Sequence, residues 1–176
     1  DGLGQITGMT NPKGETTSLS YNDTGKVTAT TYPAGSSSLQ AYDLLGNMTS
    51  ITDVDGNTTT YEYKLGGCGG CSGGVLLTKT TDPNSNETNC AYDANGNQTS
   101  ITNALGVTTK LFYDNLNRFT KMELPSGSGQ YTYTTYDETG RVSTQTDANG
   151  DSKAMQYDFL GNLTAQTDGV GTYMQQ

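Results

Sequence analysis

Histidine and tryptophan are absent from this chain of 176 residues, and proline occurs only four times. Without histidine, the usual serine-protease triad and the commonest metal ligand are excluded. No apolar run is long enough to cross a bilayer, so we expect no membrane insertion. A composition this poor in Leu, Ile, Val and Phe would by itself indicate disorder. The net charge of only −9 and the twelve tyrosines argue instead for a folded chain in which aromatic rings replace aliphatic burial.

The negative charge argues against a nucleic-acid partner, because such a partner requires a basic face. Most aspartates recur at positions that favour turns, as the repeat described next makes clear. We therefore interpret the acidic balance as a by-product of turn chemistry, and it does not by itself indicate a cationic partner.

A repeat of about 21 residues runs through the chain. Its most regular members are tyrosines spaced by 21, 21, 29, 21, 23 and 21 residues, which we call the ladder tyrosines: Tyr21, Tyr42, Tyr63, Tyr92, Tyr113, Tyr136 and Tyr157. Aspartate follows directly in five cases: Asp43, Asp93, Asp114, Asp137 and Asp158. This spacing predicts a single array of about eight repeats over residues 1–176, in which a Gly- and Cys-rich insert at 66–74 lengthens one repeat.

Further positions recur when each repeat is numbered from its tyrosine at slot zero. Glycine is common at slots four and fourteen, Asp or Asn is common at slot eleven, and Thr or Ser stands at slot seven throughout. Asp-x-x-Gly thus occurs twice per repeat and suits a type I turn, whose Asp side chain bonds the backbone two residues on. The segments between the turns have about the usual strand length and are rich in Thr, Val, Ile and Tyr. Each repeat is therefore predicted to form strand, turn, strand, turn.

The ladder tyrosines are expected to share one face of the sheet with Tyr61, Leu111 and Met155, which lie two residues before a ladder tyrosine. We expect the ladder tyrosines to be largely buried against neighbouring repeats, because they are the most regular bulky residues in the chain. On that basis, replacing Tyr42 or Tyr113 with alanine should cost about 3–5 kcal/mol.

The frame Y-D-x-x-G-N-x-T-x-x-T-D-x-x-G-x-x-T resembles the YD repeat of Rhs proteins, teneurins, toxin-complex shells and bacterial wall-associated proteins. Residues 42–59 (YDLLGNMTSITDVDGNTT) and 92–109 (YDANGNQTSITNALGVTT) match it nearly throughout. The resemblance implies an all-β fold in which tandem repeats form a spiralling antiparallel sheet, as a solenoid, tube or shell segment. It implies no chemistry carried by the repeats themselves. Asp82-Pro83 occupies an ordinary turn position in mid-chain, unlike the autoproteolytic Asp-Pro segment that ends an Rhs core.

Three cysteines are present, two in the insert as Cys68-x-x-Cys71 and one at Cys90. Structural zinc normally needs four N or S ligands, and a thioredoxin-like site needs a βαβ context. We therefore predict either a plain loop, a local disulfide between Cys68 and Cys71, or a disulfide from one of them to Cys90. Disulfides fit an oxidising, extracellular setting.

Two stretches, 53–57 and 147–151, resemble the start of a calcium-binding loop. Lys64 stands where the first of these would need its bidentate glutamate, so both are interpreted as turns. No metal, cofactor or catalytic residue is predicted.

Six asparagines lie in N-x-T sequons: Asn22, Asn47, Asn57, Asn86, Asn97 and Asn162. Asn47, Asn97 and Asn162 occupy the same slot, so the repeat frame generates such sequons by itself. Surface glycosylation of a secreted fibre is the alternative interpretation.

The sequence thus favours a non-enzymatic extracellular scaffold, secreted or at the cell surface, that serves as a building block of a fibre, tube or larger shell. Its expected partners are copies of itself joined head to tail or further repeats of a longer chain, because an uncapped repeat array exposes strand edges. The alternative is a segment of a toxin-encapsulating protein or of a cell-surface adhesion or delivery protein.

Overall fold

The computed structural model describes residues 2–66, 74–125, 129–168 and 173–175. These ranges consist of strands joined by short turns, and they contain no helix. No described segment therefore forms a long apolar helix of the kind that spans a membrane. The predicted all-β, antiparallel fold is confirmed. The chain divides into two compact units, Asp1–Lys64 with Val75–Thr88, and Leu65–Gly74 with Asn89–Gln176.

In the first unit the strands lie side by side in chain order. They are β1 (Gly8–Thr10), β2 (Thr16–Tyr21), β3 (Val27–Thr31), β4 (Ser37–Tyr42), β5 (Met48–Thr52), β6 (Thr58–Leu65) and β7 (Val75–Thr81). From β1 to β6 each strand pairs antiparallel with the next. Each pairing joins strands that are adjacent in sequence, so short turns suffice to connect them.

The second unit has the same arrangement. Its strands are β8 (Glu87–Tyr92, most of which belongs to this unit), β9 (Gln98–Thr102), β10 (Thr108–Tyr113), β11 (Phe119–Glu123), β12 (Tyr131–Tyr136), β13 (Val142–Thr146), β14 (Ser152–Tyr157), β15 (Leu163–Thr167) and β16 (Tyr173–Gln175). Each pairs antiparallel with its neighbours in chain order.

The turns have the predicted type I geometry followed by one residue in the left-handed region. Between β4 and β5, Gly46 N–H donates to the Asp43 carbonyl (3.0 Å) and Asp43 N–H donates to the Asn47 carbonyl (2.9 Å). Gly46 has φ +83°, which a residue with a Cβ adopts only at a cost. Ser85 and Asn117 take the same position in their turns with φ of 64° and 61°.

A β-bulge follows every described turn that begins after a ladder tyrosine. Between β4 and β5, for example, Tyr42 pairs with Met48 whereas Ala41 pairs with Ser50, so Thr49 is the extra residue. The same register shift leaves the slot-seven residue unpaired at five further places: Thr28, Thr99, Thr120, Ser143 and Thr164. Slot seven is therefore the bulge position in these repeats, where the local twist of the sheet increases.

No side chain in the described ranges is fully buried. Residues two apart do share a face as predicted: in β10, Leu111 and Tyr113 are half-buried whereas Lys110 and Phe112 are exposed. Each ladder tyrosine is half-buried, and none of them is fully buried. The physical reason is that within each unit the described strands form one layer, with no second layer packed on either face.

The serine at the left-handed position of its turn offers a test of this backbone geometry. We expect Ser85→Gly to stabilise the protein by about 1 kcal/mol, because it removes the steric cost of a Cβ at positive φ. Thermal or urea unfolding of the variant measures the change.

The reverse substitution, Gly56→Ser, is the matched control. Gly56 occupies the same slot with φ +86°, and a Cβ added there would meet nothing within 4 Å. This substitution should therefore destabilise by a similar amount through the backbone alone. Equal stability of both variants and the natural chain would contradict the positive-φ assignment.

Candidate functional site

In the turns that follow the ladder tyrosines, the aspartate side chain accepts hydrogen bonds from residues of its own turn. Asp43 Oδ1 accepts the backbone N–H groups of Leu45 (2.9 Å) and Asn47 (2.8 Å), and Asn47 Nδ2 donates to Oδ2 (2.8 Å). The same three bonds recur at the pairs Asp93/Asn97 and Asp158/Asn162. The carboxylate thus supplies acceptors for backbone N–H groups that the strand ladder leaves unpaired.

Among the described turns, the second turn of a repeat uses the same arrangement where an acid or amide stands at slot eleven. Asp53 Oδ1 accepts from the backbone of Asp55 and Asn57, both at 2.9 Å, and Asn57 Nδ2 donates to Oδ2 at 2.9 Å. Asp147 accepts from Asn149 and Asp151 in the same way. Both calcium-like stretches therefore form hydrogen-bonded turns, and no three Asp, Glu, Cys or His side chains converge as metal ligands in the described ranges.

Two repeats carry arginine instead of asparagine at slot five. Arg118 Nε donates to Asp114 Oδ2 (2.7 Å), and Arg141 Nε donates to Asp137 Oδ2 (2.8 Å). Each guanidinium also stacks on the ladder tyrosine of the next repeat, with Cζ 4.3 Å from the Tyr136 ring centroid for Arg118 and 4.7 Å from that of Tyr157 for Arg141. In these two repeats, the slot-five arginine therefore joins a turn to the following repeat by a cation–π contact.

The phenol groups of five ladder tyrosines form a second link between repeats. Tyr63 Oη donates to the Met48 carbonyl (2.8 Å), which lies at slot six of the preceding repeat. The equivalent bonds join Tyr21 to Ile6, Tyr113 to Gln98, Tyr136 to Phe119 and Tyr157 to Val142, at 2.6–3.0 Å. Tyr42 instead donates to Gln40 Oε1 (2.9 Å). Sequence reasoning identified these tyrosines but missed the bond, because its acceptor is a backbone carbonyl and leaves no mark in the sequence.

Threonine and serine have two roles in the sheet. At slot seven, the hydroxyls of Thr78, Thr120 and Thr164 donate to the carbonyl of the residue before the ladder tyrosine, at 3.1–3.2 Å. Beside the second turn, hydroxyls pair across strands at 2.7–2.9 Å in Thr10/Thr16, Thr31/Ser37, Thr52/Thr58, Thr102/Thr108 and Thr146/Ser152. Such cross-strand pairs stabilise a sheet by about 0.2–1 kcal/mol each.

Hydrogen bonding shifts the pKa values of the turn carboxyls. The Asn47 and Asn57 side-chain amides, followed by the backbone bonds, hold the pKa values of Asp43 and Asp53 below their usual range. Bonds from Arg118 lower the pKa of Asp114, first through its backbone and then through its side chain. In contrast, burial raises the pKa values of Tyr63 and Tyr113. Tyr63 and Tyr113 thus remain neutral hydrogen-bond donors, while Asp43, Asp53 and Asp114 remain charged acceptors.

Five of the six sequon asparagines use the nitrogen that a glycan would modify. Nδ2 of Asn47, Asn57, Asn86, Asn97 and Asn162 donates to the carboxylate of its own turn. Asn22 differs, because its Oδ1 is the turn acceptor for Thr24 and Lys26 and its Nδ2 has no bond within the described ranges. The geometry therefore distinguishes sequons that the sequence treats alike.

Of the three cysteines, Cys90 lies within the described residues. Cys68 and Cys71 lie outside the described residues, so the predicted disulfides stay predictions. Cys90 is half-buried on β8 and forms no disulfide with another described residue. It lies two residues before Tyr92 and shares its face of the strand, and their contact contributes to the raised pKa of Tyr92 after burial.

An open cavity of about 530 Å³ lies in the second unit and is lined by Phe119, Tyr133 and Lys153 among others. The carboxylates of Asp147 and Asp151 also line it, and the backbone bonds of the turn already engage the first of these. We find no nucleophile paired with a general base at this cavity among the described residues. Its walls are the side chains and turns of successive strands.

Turn, bulge and tyrosine contacts that recur from repeat to repeat define a class of protein, the β-sheet repeat scaffold. The family model described as RHS Repeat matches residues 1–37, 42–66, 92–128 and 136–173, which together make up well over half of the chain. The chain belongs to the RHS repeat family, and the resemblance seen in the sequence is confirmed. No curated protein matches the chain.

Solved structures share the fold at low sequence identity. A Tc holotoxin pore from Photorhabdus luminescens has a TM-score of 0.64 at 13% identity, covering 92% of this chain and 9% of that one. A TcdB2-TccC3 structure has a TM-score of 0.59 at 15% identity, covering 96% of this chain and 12% of that one. The chain thus spans about a tenth of the length of the chains it resembles.

The phenol bond gives a stability prediction for the ladder. Tyr113→Phe should cost about 1 kcal/mol, because the Gln98 carbonyl loses its donor. Tyr113→Ala should cost about 2 kcal/mol, less than for a fully buried aromatic, because the ring is only half-buried. Urea unfolding measures both changes.

Tyr133→Phe is the control, because Tyr133 is exposed on the opposite face of its strand from the ladder tyrosine Tyr136 and its hydroxyl has no bond in the described ranges. Its stability should be unchanged. Equal effects of Tyr113→Phe and Tyr133→Phe would show that the ladder bond contributes nothing.

We predict that the protein loses stability in acid, because the turn carboxyls become protonated. Five of them have folded pKa values below the ordinary value of 3.8, so their stabilising contribution is complete above that pH and is lost as the pH falls below it: Asp43, Asp53, Asp82, Asp93 and Asp158. Thermal unfolding between neutral pH and pH values below the ordinary carboxyl range should show this decline. Asp43→Asn should flatten part of the decline, because its side chain no longer titrates, whereas an unaltered profile would contradict the role of that turn.

Proposed function

We propose that the chain is a non-catalytic structural segment of a larger RHS-repeat scaffold, secreted or at the cell surface, whose sheet serves as a wall. The observation that carries this proposal is what the recurring side chains bond to. Ladder tyrosines, turn aspartates and bulge threonines bond to backbone groups of their own turn or of an adjacent repeat. Residues repeated for chemistry would instead present groups directed at a ligand.

Among such scaffolds, a segment of a toxin-delivery protein is the version that the comparisons support best. The solved structures with the same fold include a Tc holotoxin pore, and this chain corresponds to a small part of their length. An adhesion fibre built from the same repeats is the second candidate, supported by the hydroxyl pairs such as Thr52/Thr58 and Thr102/Thr108 on the face opposite the ladder tyrosines. In both, further repeats or other copies of the chain pair with the strand edges, and Asn22 is the sequon best placed to carry a surface glycan.

The wall proposal predicts that the two faces of the sheet differ in access. Thr59 and Thr60 are neighbours on β6 and point to opposite faces, Thr59 to the same face as Tyr61 and Tyr63. Each is replaced by cysteine in turn, in the full protein as its gene encodes it, with Cys68, Cys71 and Cys90 changed to serine. In a closed wall, a polymer-linked maleimide should label one of the two thiols and spare the other.

A small maleimide and labelling after denaturation serve as controls for thiol reactivity. In a fibre whose sheet is open on both sides, the polymer-linked reagent should label both positions at similar rates. That outcome would overturn the closed-wall version and favour the fibre. Circular dichroism of both variants checks that the strands are retained.

A further inference from the structure

Two turns of the chain share the sequence Asp-Ala-Asn-Gly, at residues 93–96 and 147–150. In each, the asparagine N–H donates to the Asp Oδ1, at 2.9 Å for Asn95 and 2.8 Å for Asn149. The glycine N–H donates to the Asp carbonyl, at 3.2 Å for Gly96 and 3.1 Å for Gly150. Local sequence and backbone are therefore matched, and any difference in reactivity must come from the surroundings.

The surroundings differ at the asparagine side chain. Asn95 Nδ2 donates to Oδ1 of Asn117 in the next repeat (2.9 Å), and Asn97 Nδ2 donates to the same oxygen (2.8 Å). Asn117 provides this acceptor because it stands at slot four, where most repeats have glycine. Asn149 is exposed, and nothing in the described ranges bonds its side-chain amide.

We infer that Asn149 is a site of spontaneous deamidation and that Asn95 is protected by Asn117. The Gly150 nitrogen attacks Asn149 Cγ and loses its proton, the Cγ–Nδ2 bond breaks, and ammonia leaves. A five-membered succinimide results, and water opens it to aspartate or to isoaspartate, in which the chain continues through Cγ. Glycine on the C-terminal side permits the attack because no Cβ hinders its nitrogen.

Local opening controls the rate of this reaction at both turns. In the closed turn the attacking N–H is bonded to the Asp carbonyl, so the turn must open before the ring can form. Asn95 must in addition break its bond to Asn117. The structure therefore predicts that Asn149 deamidates about fivefold faster than Asn95, the factor expected for one neutral hydrogen bond.

The product changes the turn in which it forms. A carboxylate at position 149 lies between Asp147 and Asp151, and isoaspartate also lengthens the backbone by one atom. The turn bonds to Asp147 then cannot all form, so the β13–β14 hairpin should loosen. In a sheet whose strands pair with their sequence neighbours, this damage stays local.

The test follows both sites in the same sample. The full chain is incubated at neutral to mildly alkaline pH, samples are digested at intervals, and mass spectrometry measures conversion at each asparagine. Asn149 should convert about fivefold faster than Asn95, in line with one additional hydrogen bond at Asn95. Equal rates, or faster conversion of Asn95, would overturn the inference.

Two variants and a measurement in denaturant test whether the contact with Asn117 protects Asn95. Asn117→Gly removes the acceptor but suits the positive φ, so the Asn95 rate should rise to that of Asn149. Asn117→Asp retains an acceptor and should keep Asn95 slow. In denaturant both sites should react at the same rate, because they share Asp-Ala-Asn-Gly. A difference that persists in denaturant, or a slow Asn95 in Asn117→Gly, would show that the folded contact is not the cause.

Discussion

The bond between a turn carboxylate and two backbone N–H groups is the constraint on which the sheet depends. Asp43 shows it in full, with Oδ1 fixing the backbone at Leu45 and Asn47 while Oδ2 holds the Asn47 side chain. These bonds close the turn over the three residues between Asp43 and Asn47, and they determine where the next strand begins. The bulge at Thr49 follows at once, and its extra residue places Tyr42 opposite Met48. Turn, bulge and ladder are thus consequences of one local arrangement.

Contacts between neighbouring repeats stabilise each unit, because its described strands form a single layer. A half-buried ring such as that of Tyr136 contributes through its hydroxyl bond to the Phe119 carbonyl and through the guanidinium of Arg118. Each contact joins groups close in sequence, which makes the stability of the array a sum over repeats and their nearest-neighbour interfaces. Such a sheet tolerates extension by further repeats, since each added repeat brings its own turn, bulge and tyrosine. A sheet that can be extended in this way suits a wall or a fibre, and it requires no reactive centre.

The predictions that succeeded concern local chemistry. Asp-x-x-Gly predicted the turns because Asp accepts from the backbone two residues on and Gly tolerates positive φ. The period of two predicted that Leu111 and Tyr113 share a face. Tyr113 is half-buried and not fully buried, because bulkiness and regularity indicate packing but not the number of layers available to pack against it. Composition had therefore suggested a core that the described strands do not form.

Antiparallel strands, turn positions and the repeat family were determined by the sequence itself, because the turn signals are local and every copy of the repeat frame carries them again. Only the tertiary structure decided the rest. The invariant slot-seven hydroxyl had no explanation until Thr120 was seen in a bulge bonded to the Phe112 carbonyl. The turns holding Asn95 and Asn149 share one sequence, yet Asn117 engages only the first. Register and contacts between repeats determine these differences, and neither is encoded within a single turn.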